Sequence, residues 1–159
     1  MLLDSRHLVG YEALVRWRHA QLGMIRPDEF IPLAEKTDLI HRVGSFVLMQ
    51  AIADWKQLGP LCERSASHAP FMSINLSAPE VCRPGLVAEV QQALQSAGMD
   101  PTELHIELTE TSLVGNKALV GEVMQRLMSL GVSLALDDFG KGFSGMDYLQ
   151  SLPFACIKI

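Results

Sequence analysis

Short apolar runs alternate with longer amphipathic ones along nearly the whole chain, and that alternation restricts the fold more than any single motif does. "HLVGYEALVRW" reads as a strand, and Pro27 to Leu58 as helix in two segments, "PDEFIPLAEKTDLI" and "VGSFVLMQAIADWKQL", separated near Gly44. "FMSINLS" is a second strand, and "GLVAEVQQALQSAG" a helix closed by Gly98. "ELHIELTE" is a third strand, "NKALVGEVMQRLMSLG" a helix ending at Gly131, and "VSLALDDF" a fourth strand. A glycine loop, a short helix "MDYLQSL" and a final strand "ACIKI" complete the order. "PLCERSASHAP", from Pro60 to Pro70, is expected to be the most mobile loop.

Strand and helix in strict turn imply an α/β fold with a parallel sheet and helices packed outside it. Two architectures have that order, a doubly wound open sheet and a (β/α)8 barrel. A barrel takes ~250 residues, so 159 residues would form an incomplete one. The expected fold is therefore a partial (β/α)8 barrel of about four full strands plus part of a fifth, in a single domain over residues 1–159.

With 48% hydrophobic residues the chain can bury a core. Its formal net charge of −5 disfavours a DNA- or RNA-polymer binder, which normally presents a basic face. No apolar run approaches the ~18 residues of a membrane helix, so a cytoplasmic location is expected, with a membrane-anchored parent protein compatible with it. Cys62, Cys82 and Cys156 lack C-x-x-C spacing and read as free thiols.

Each strand carries a polar group near its carboxyl end, where both architectures gather function. Glu12 lies on the first strand, with Leu14 and Arg16 on the same face by their i+2 and i+4 spacing. Asn75 is on the second, Glu107 and Glu110 on the third, Asp137 and Asp138 on the fourth, and Lys158 on the last. Taken singly, each has an ordinary explanation: a solvated strand residue, an exposed alternation partner, a turn former or an edge charge. Together they would require the same coincidence on every strand. Carboxylates gathered in a cleft need a cation to offset them. Their all-oxygen chemistry, with no His or Cys, suits Mg²⁺ or Mn²⁺ rather than zinc. Adjacent Asp137 and Asp138 suit a carboxylate bridging two ions.

Gly140, Gly142 and Gly145 in "DDFGKGFSG" have the G-x-G-x-x-G spacing of a dinucleotide-binding turn. That fingerprint needs an acidic partner roughly 20 residues further on, and the aspartates in front would repel a pyrophosphate. The glycines read instead as a pliable strand-to-helix loop that adjusts around metal and substrate.

"YEALVRWRH", "FIPLAEKTDLI", "INLS", "IELTET", "LALDDFGKGFSGMDYLQSLP" and "IKI" stand in the order and at roughly the spacing of the EAL domain, which the chain resembles over essentially its whole length. That family consists of cyclic-di-GMP phosphodiesterases of bacterial signalling. The resemblance implies that Glu12, Asn75, Glu107 and Asp137 bind one divalent ion, and that Asp137 and Asp138 hold a second. It implies that Glu110 holds the loop containing Gly140 and Gly142 in place, and that Lys158 contacts the attacking water or the scissile phosphate. Leu14 would lie against a guanine, and Arg16 would pair with a phosphate, as its planar fork allows. The implied product is linear pGpG. The alternatives are a non-catalytic EAL module acting as a cyclic-di-GMP receptor or protein scaffold, and a different metal-dependent barrel hydrolase.

Departures from the family pattern are Lys141, Phe143 and Gly145 in the loop, where Thr, Tyr and Ser are usual, and Asp38 in place of a glycine. The resemblance implies that residues 1–159 lack the family's first strand and its last two to three strand-helix units. The expectation is that the isolated chain is unstable, self-associates or dimerises, and turns over weakly or not at all.

Overall fold

The computed structural model of the protein describes residues 8–62, 69–109, 112, 117–138, 140, 154 and 156–158. Strand β1 spans Gly10–Ala13, followed by the short strands β2, Trp17–His19, and β3, Gly23–Ile25. Helix α1 is Pro27–Lys36 and α2 is Ile40–Leu58. Strand β4 is Phe71–Leu76, with α3, Ala78–Val81, and α4, Leu86–Ala97, behind it. Strand β5 is Leu104–Thr109, α5 is Lys117–Ser129, β6 is Ser133–Asp137 and β7 is Cys156–Ile157.

The main sheet has the order β1-β4-β5-β6-β7, and every pairing in it is parallel. Each strand thus sits beside the one before it in the chain. A doubly wound sheet reverses direction at a switch point, whereas a barrel wall advances steadily, and the observed order is the barrel's. Met72, Ile74, Leu76, Leu104, Ile106, Leu108, Leu134 and Leu136 are all buried. By alternation they share one face, on which α2 packs over β1 and β4 and α5 over β6. Val90 and Met124, both fully buried, carry the helices' apolar stripes into the same core. Burying such side chains stabilises by roughly 1.5–3 kcal/mol each.

Three expectations need correction. "HLVGYEALVRW" is not one strand: β1 stops at Ala13, and Trp17 begins an antiparallel β2–β3 hairpin. His19 Nδ1 accepts from the backbone amides of Gln21 and Leu22, each at 3.2 Å, and Gly23 turns the chain at φ 76°. Trp17 then sets its ring edge-on to Phe30, with centroids 5.6 Å apart. The shared-face argument for Leu14 and Arg16 therefore does not carry past Ala13.

The helical region breaks at residues 37–39 rather than at Gly44, which lies within α2. Asp38 occupies the left-handed region at φ 55°, which explains why a glycine suits that position. Gly44 has a steric reason: a Cβ there would collide with the Glu80 carboxylate. The segment from Pro60 opens with a 3₁₀ turn, Gly59–Leu61, and residues 63–68 lie outside the described residues, as does "MDYLQSL".

Other signals read as expected. Pro27 opens α1 with Asp28 and Glu29 in its first turn, where the helix dipole favours anions. Gly98 ends α4 at φ 65°. Helix α3 follows from a capping box not read in the sequence: the Ser77 backbone amide donates to Glu80 Oε2 at 2.8 Å, and the Ser77 hydroxyl to the same oxygen at 2.5 Å. Cys62, Cys82 and Cys156 are free thiols. Among the described residues no helix is long and apolar enough to cross a membrane.

Candidate active site

The face of the sheet opposite the helices is polar. Register places Glu12, Ser73, His105 and Ser133 in one row across it. The next row holds Asn75, Glu107, Ala135 and Cys156, and the one after it Thr109 and Asp137. The Lys158 amide donates to the Leu136 carbonyl at 2.8 Å, which continues the β6–β7 pairing to Lys158. Four separate strand ends and the residue after β7 thereby bring Glu12, Asn75, Glu107, Asp137 and Lys158 to one end of one face.

Glu107 is the centre of this group and is only 2% exposed. Its Oε1 accepts hydrogen bonds from the Ser73 hydroxyl and from Lys158 Nζ. Its Oε2 is buried and finds no hydrogen-bond partner among the described residues. Asn75 Nδ2 donates to Glu12 Oε1 at 2.8 Å, and Lys158 Nζ stands 3.9 Å from Glu12 Oε2. Burial pulls the Lys158 ammonium toward neutrality, but the Glu107 hydrogen bond and the charges of Glu107, Glu12 and Asp137 outweigh it. Its pKa is raised above the ordinary lysine value, so it stays charged.

Below this layer the His105 ring stacks flat on Phe71, with centroids 3.9 Å apart and planes within 1°. Burial first, and the Lys158 charge second, lower the His105 pKa to about 4. At neutral pH the ring is uncharged and does not compete for the carboxylates above. Ser73 and His105 were both missed in the sequence, although each shares the period-two face of a proposed ligand, Asn75 or Glu107. Thr109 Oγ1 and Ser112 Oγ, 2.8 Å apart, add a further polar pair at the end of β5.

The remaining proposed residues are placed less uniformly. Leu14, 53% exposed, and Arg16 lie on the link between β1 and β2. Both line a cavity of about 530 Å³ that also touches Asn75, Ser77, Glu80 and the start of α1. Arg16 Nη1 donates to the Val15 carbonyl at 2.8 Å. Asp138 is exposed in the left-handed region at φ 56°, with its amide 2.9 Å from Asp137 Oδ1, and Gly140 has φ 93°. Glu110, Lys141, Gly142, Phe143 and Gly145 lie outside the described residues.

The donor chemistry fits a divalent cation. One ammonium faces three carboxylates, and one buried carboxylate oxygen has no hydrogen-bond partner among the described residues. Among the described residues no three His, Cys, Asp or Glu side chains already converge as a cation cage. Lys158 instead offsets the charge of Glu107, and Asn75 turns its NH₂ toward Glu12. Coordination would require Asn75 to present its oxygen and Glu107 to present Oε2.

The EAL domain model matches residues 1–159. An uncharacterized signaling protein of Caulobacter vibrioides is 41% identical over 94% of this chain and 18% of its own length. The bifunctional diguanylate cyclase/cyclic di-GMP phosphodiesterase MucR of Pseudomonas aeruginosa is 37% identical over 100% of this chain and 23% of its own length. The chain thus spans about a fifth of these curated relatives. Among solved structures, the PaMucR phosphodiesterase in complex with c-di-GMP superposes with a TM-score of 0.84 at 37% identity, over 95% of this chain and 60% of that one.

Proposed function

The chain belongs to the EAL domain family, and on that footing we propose that its polar face hydrolyses one phosphodiester bond of cyclic di-GMP, opening the ring to linear pGpG. The observation that carries this reading is the buried Glu107 carboxylate, one oxygen held and the other without a partner among the described residues, grouped with Glu12, Asn75 and Lys158. The nucleotide in the PaMucR complex supports the choice of substrate.

In this reading Glu12, Asn75, Glu107 and Asp137 would hold one divalent ion, and Asp137 and Asp138 a second; Mg²⁺ or Mn²⁺ there would supply an acidified water and offset the charge of the phosphate. Lys158, kept charged by its carboxylate neighbours, donates a hydrogen bond to the attacking water or to a phosphate oxygen. Arg16 forks onto a phosphate and Leu14 lies against a guanine at the rim of the adjoining cavity. Glu110 holds the loop of Gly140 and Gly142 against the site. The neutral His105 and Phe71 close the floor beneath it.

The test is mass-resolved turnover of cyclic di-GMP with Mg²⁺ or Mn²⁺, using this chain and a version extended to the length of the PaMucR domain. The expected result is pGpG from the extended protein and none from its Glu12→Ala variant. Nucleotide binding without any product would overturn the hydrolase in favour of a receptor.

A further inference from the structure

Glu107 is held unevenly, and the inequality has a definite source. Ser73 is 1% exposed and lies in register with His105, so its hydroxyl reaches Glu107 diagonally along the same face. It donates to Oε1, the oxygen that Lys158 also occupies, and Oε2 has no hydrogen-bond partner among the described residues. A carboxylate carrying two donors on one oxygen cannot rotate without breaking both bonds. Without the Ser73 hydroxyl, Lys158 would be free to pull the carboxylate round and span both oxygens, and its ammonium would then compete with any incoming cation.

We propose that Ser73 is a positioning residue for the cation site: it pins Glu107 Oε1 and so reserves Oε2 for a divalent ion. This rests on the metal-site reading above and goes beyond it by assigning a role to a residue that supplies no ligand. Groups that orient ligands in this way typically change affinity by about 10–100-fold when removed.

The experiment is direct Mn²⁺ binding to this chain without nucleotide, followed by electron paramagnetic resonance of the free ion, with circular-dichroism melting in parallel. Ser73→Ala and the nearly isosteric Ser73→Cys are expected to weaken Mn²⁺ binding by about 10–100-fold while leaving the melting curve cooperative. Ser73→Thr, which keeps the hydroxyl, is expected to restore binding. Should Ser73→Ala fail to fold, Ser73→Cys decides the question, because it leaves no cavity and replaces the hydroxyl with a weak S–H donor. Wild-type affinity in Ser73→Cys, with Mn²⁺ bound to the unmodified protein, overturns the positioning role alone. Absence of Mn²⁺ binding to the unmodified protein overturns the cation site and this inference with it.

Discussion

Lys158 bonds Glu107 from the edge of the sheet, joining the residue after the last described strand to the third of five in the wall. It is the nearest positive charge to a carboxylate that is almost wholly withdrawn from water. Lys158→Met removes that charge and leaves Glu107 with one donor. The expected loss is about 1–3 kcal/mol, toward the lower end because the lysine is partly exposed. Added Mg²⁺ should recover more of the melting temperature in the variant than in the parent, since the cation then takes over the offset. Equal Mg²⁺ responses in the two proteins would count against a shared role for lysine and metal.

Glu80, which lines the cavity beside Arg16, supplies a dependence on pH through its own burial. It is 4% exposed, and burial raises its pKa above the ordinary carboxylate value despite opposing contributions from Ser77, His41 and Arg83. The folded state therefore holds this proton more tightly than the unfolded state does. Its contribution to stability is greatest below the unfolded pKa and declines as pH rises through the folded one. Glu80→Gln should flatten that part of the stability profile and match or exceed the parent at neutral pH. Urea titrations of both proteins at several pH values provide the check, and parallel profiles would refute it.

Asp38 holds a positive φ that costs a non-glycine residue roughly 1–2 kcal/mol. Asp38→Gly removes this strain but gives the unfolded chain more freedom. A net gain of about 0.5–1 kcal/mol is expected, visible as a higher denaturation midpoint with unchanged slope. A loss of stability would show that the Asp38 side chain contributes more than its backbone costs.

The alternation of elements was legible because each helix has a long apolar stripe and each strand a short run, but that alternation suits a doubly wound sheet as well as a barrel, and the order of strands in the wall is seen only in the structure. The ligand candidates were legible because carboxylates recurred at strand ends. Period-two alternation does not say which face of a sheet is enclosed, and for that reason Glu107 could be taken for a solvated residue when it is buried. Ser73 went unread for a related cause, since a lone serine in a strand carries no signal until its diagonal neighbour is known. Gly44 was taken for a helix break because sequence shows the missing side chain but not the Glu80 carboxylate that fills its place. The β2–β3 hairpin went unread because its strands are three residues each and Arg18, His19 and Gln21 interrupt any apolar pattern, although Gly23 marked its turn. The "SAPE" capping box was available and unused.

Because the sheet lies in chain order, the wall can be laid down strand by strand as the chain lengthens, each new edge templated by the last. Glu107 draws its two donors from opposite directions of that growth, Ser73 from an earlier strand and Lys158 from the end of a later one. The Lys158 bond to the buried carboxylate therefore exists only with β7 paired to β6. Pairing of β7 is thus what brings the offsetting ammonium to Glu107, so that sheet register and the charge balance of the site are set together.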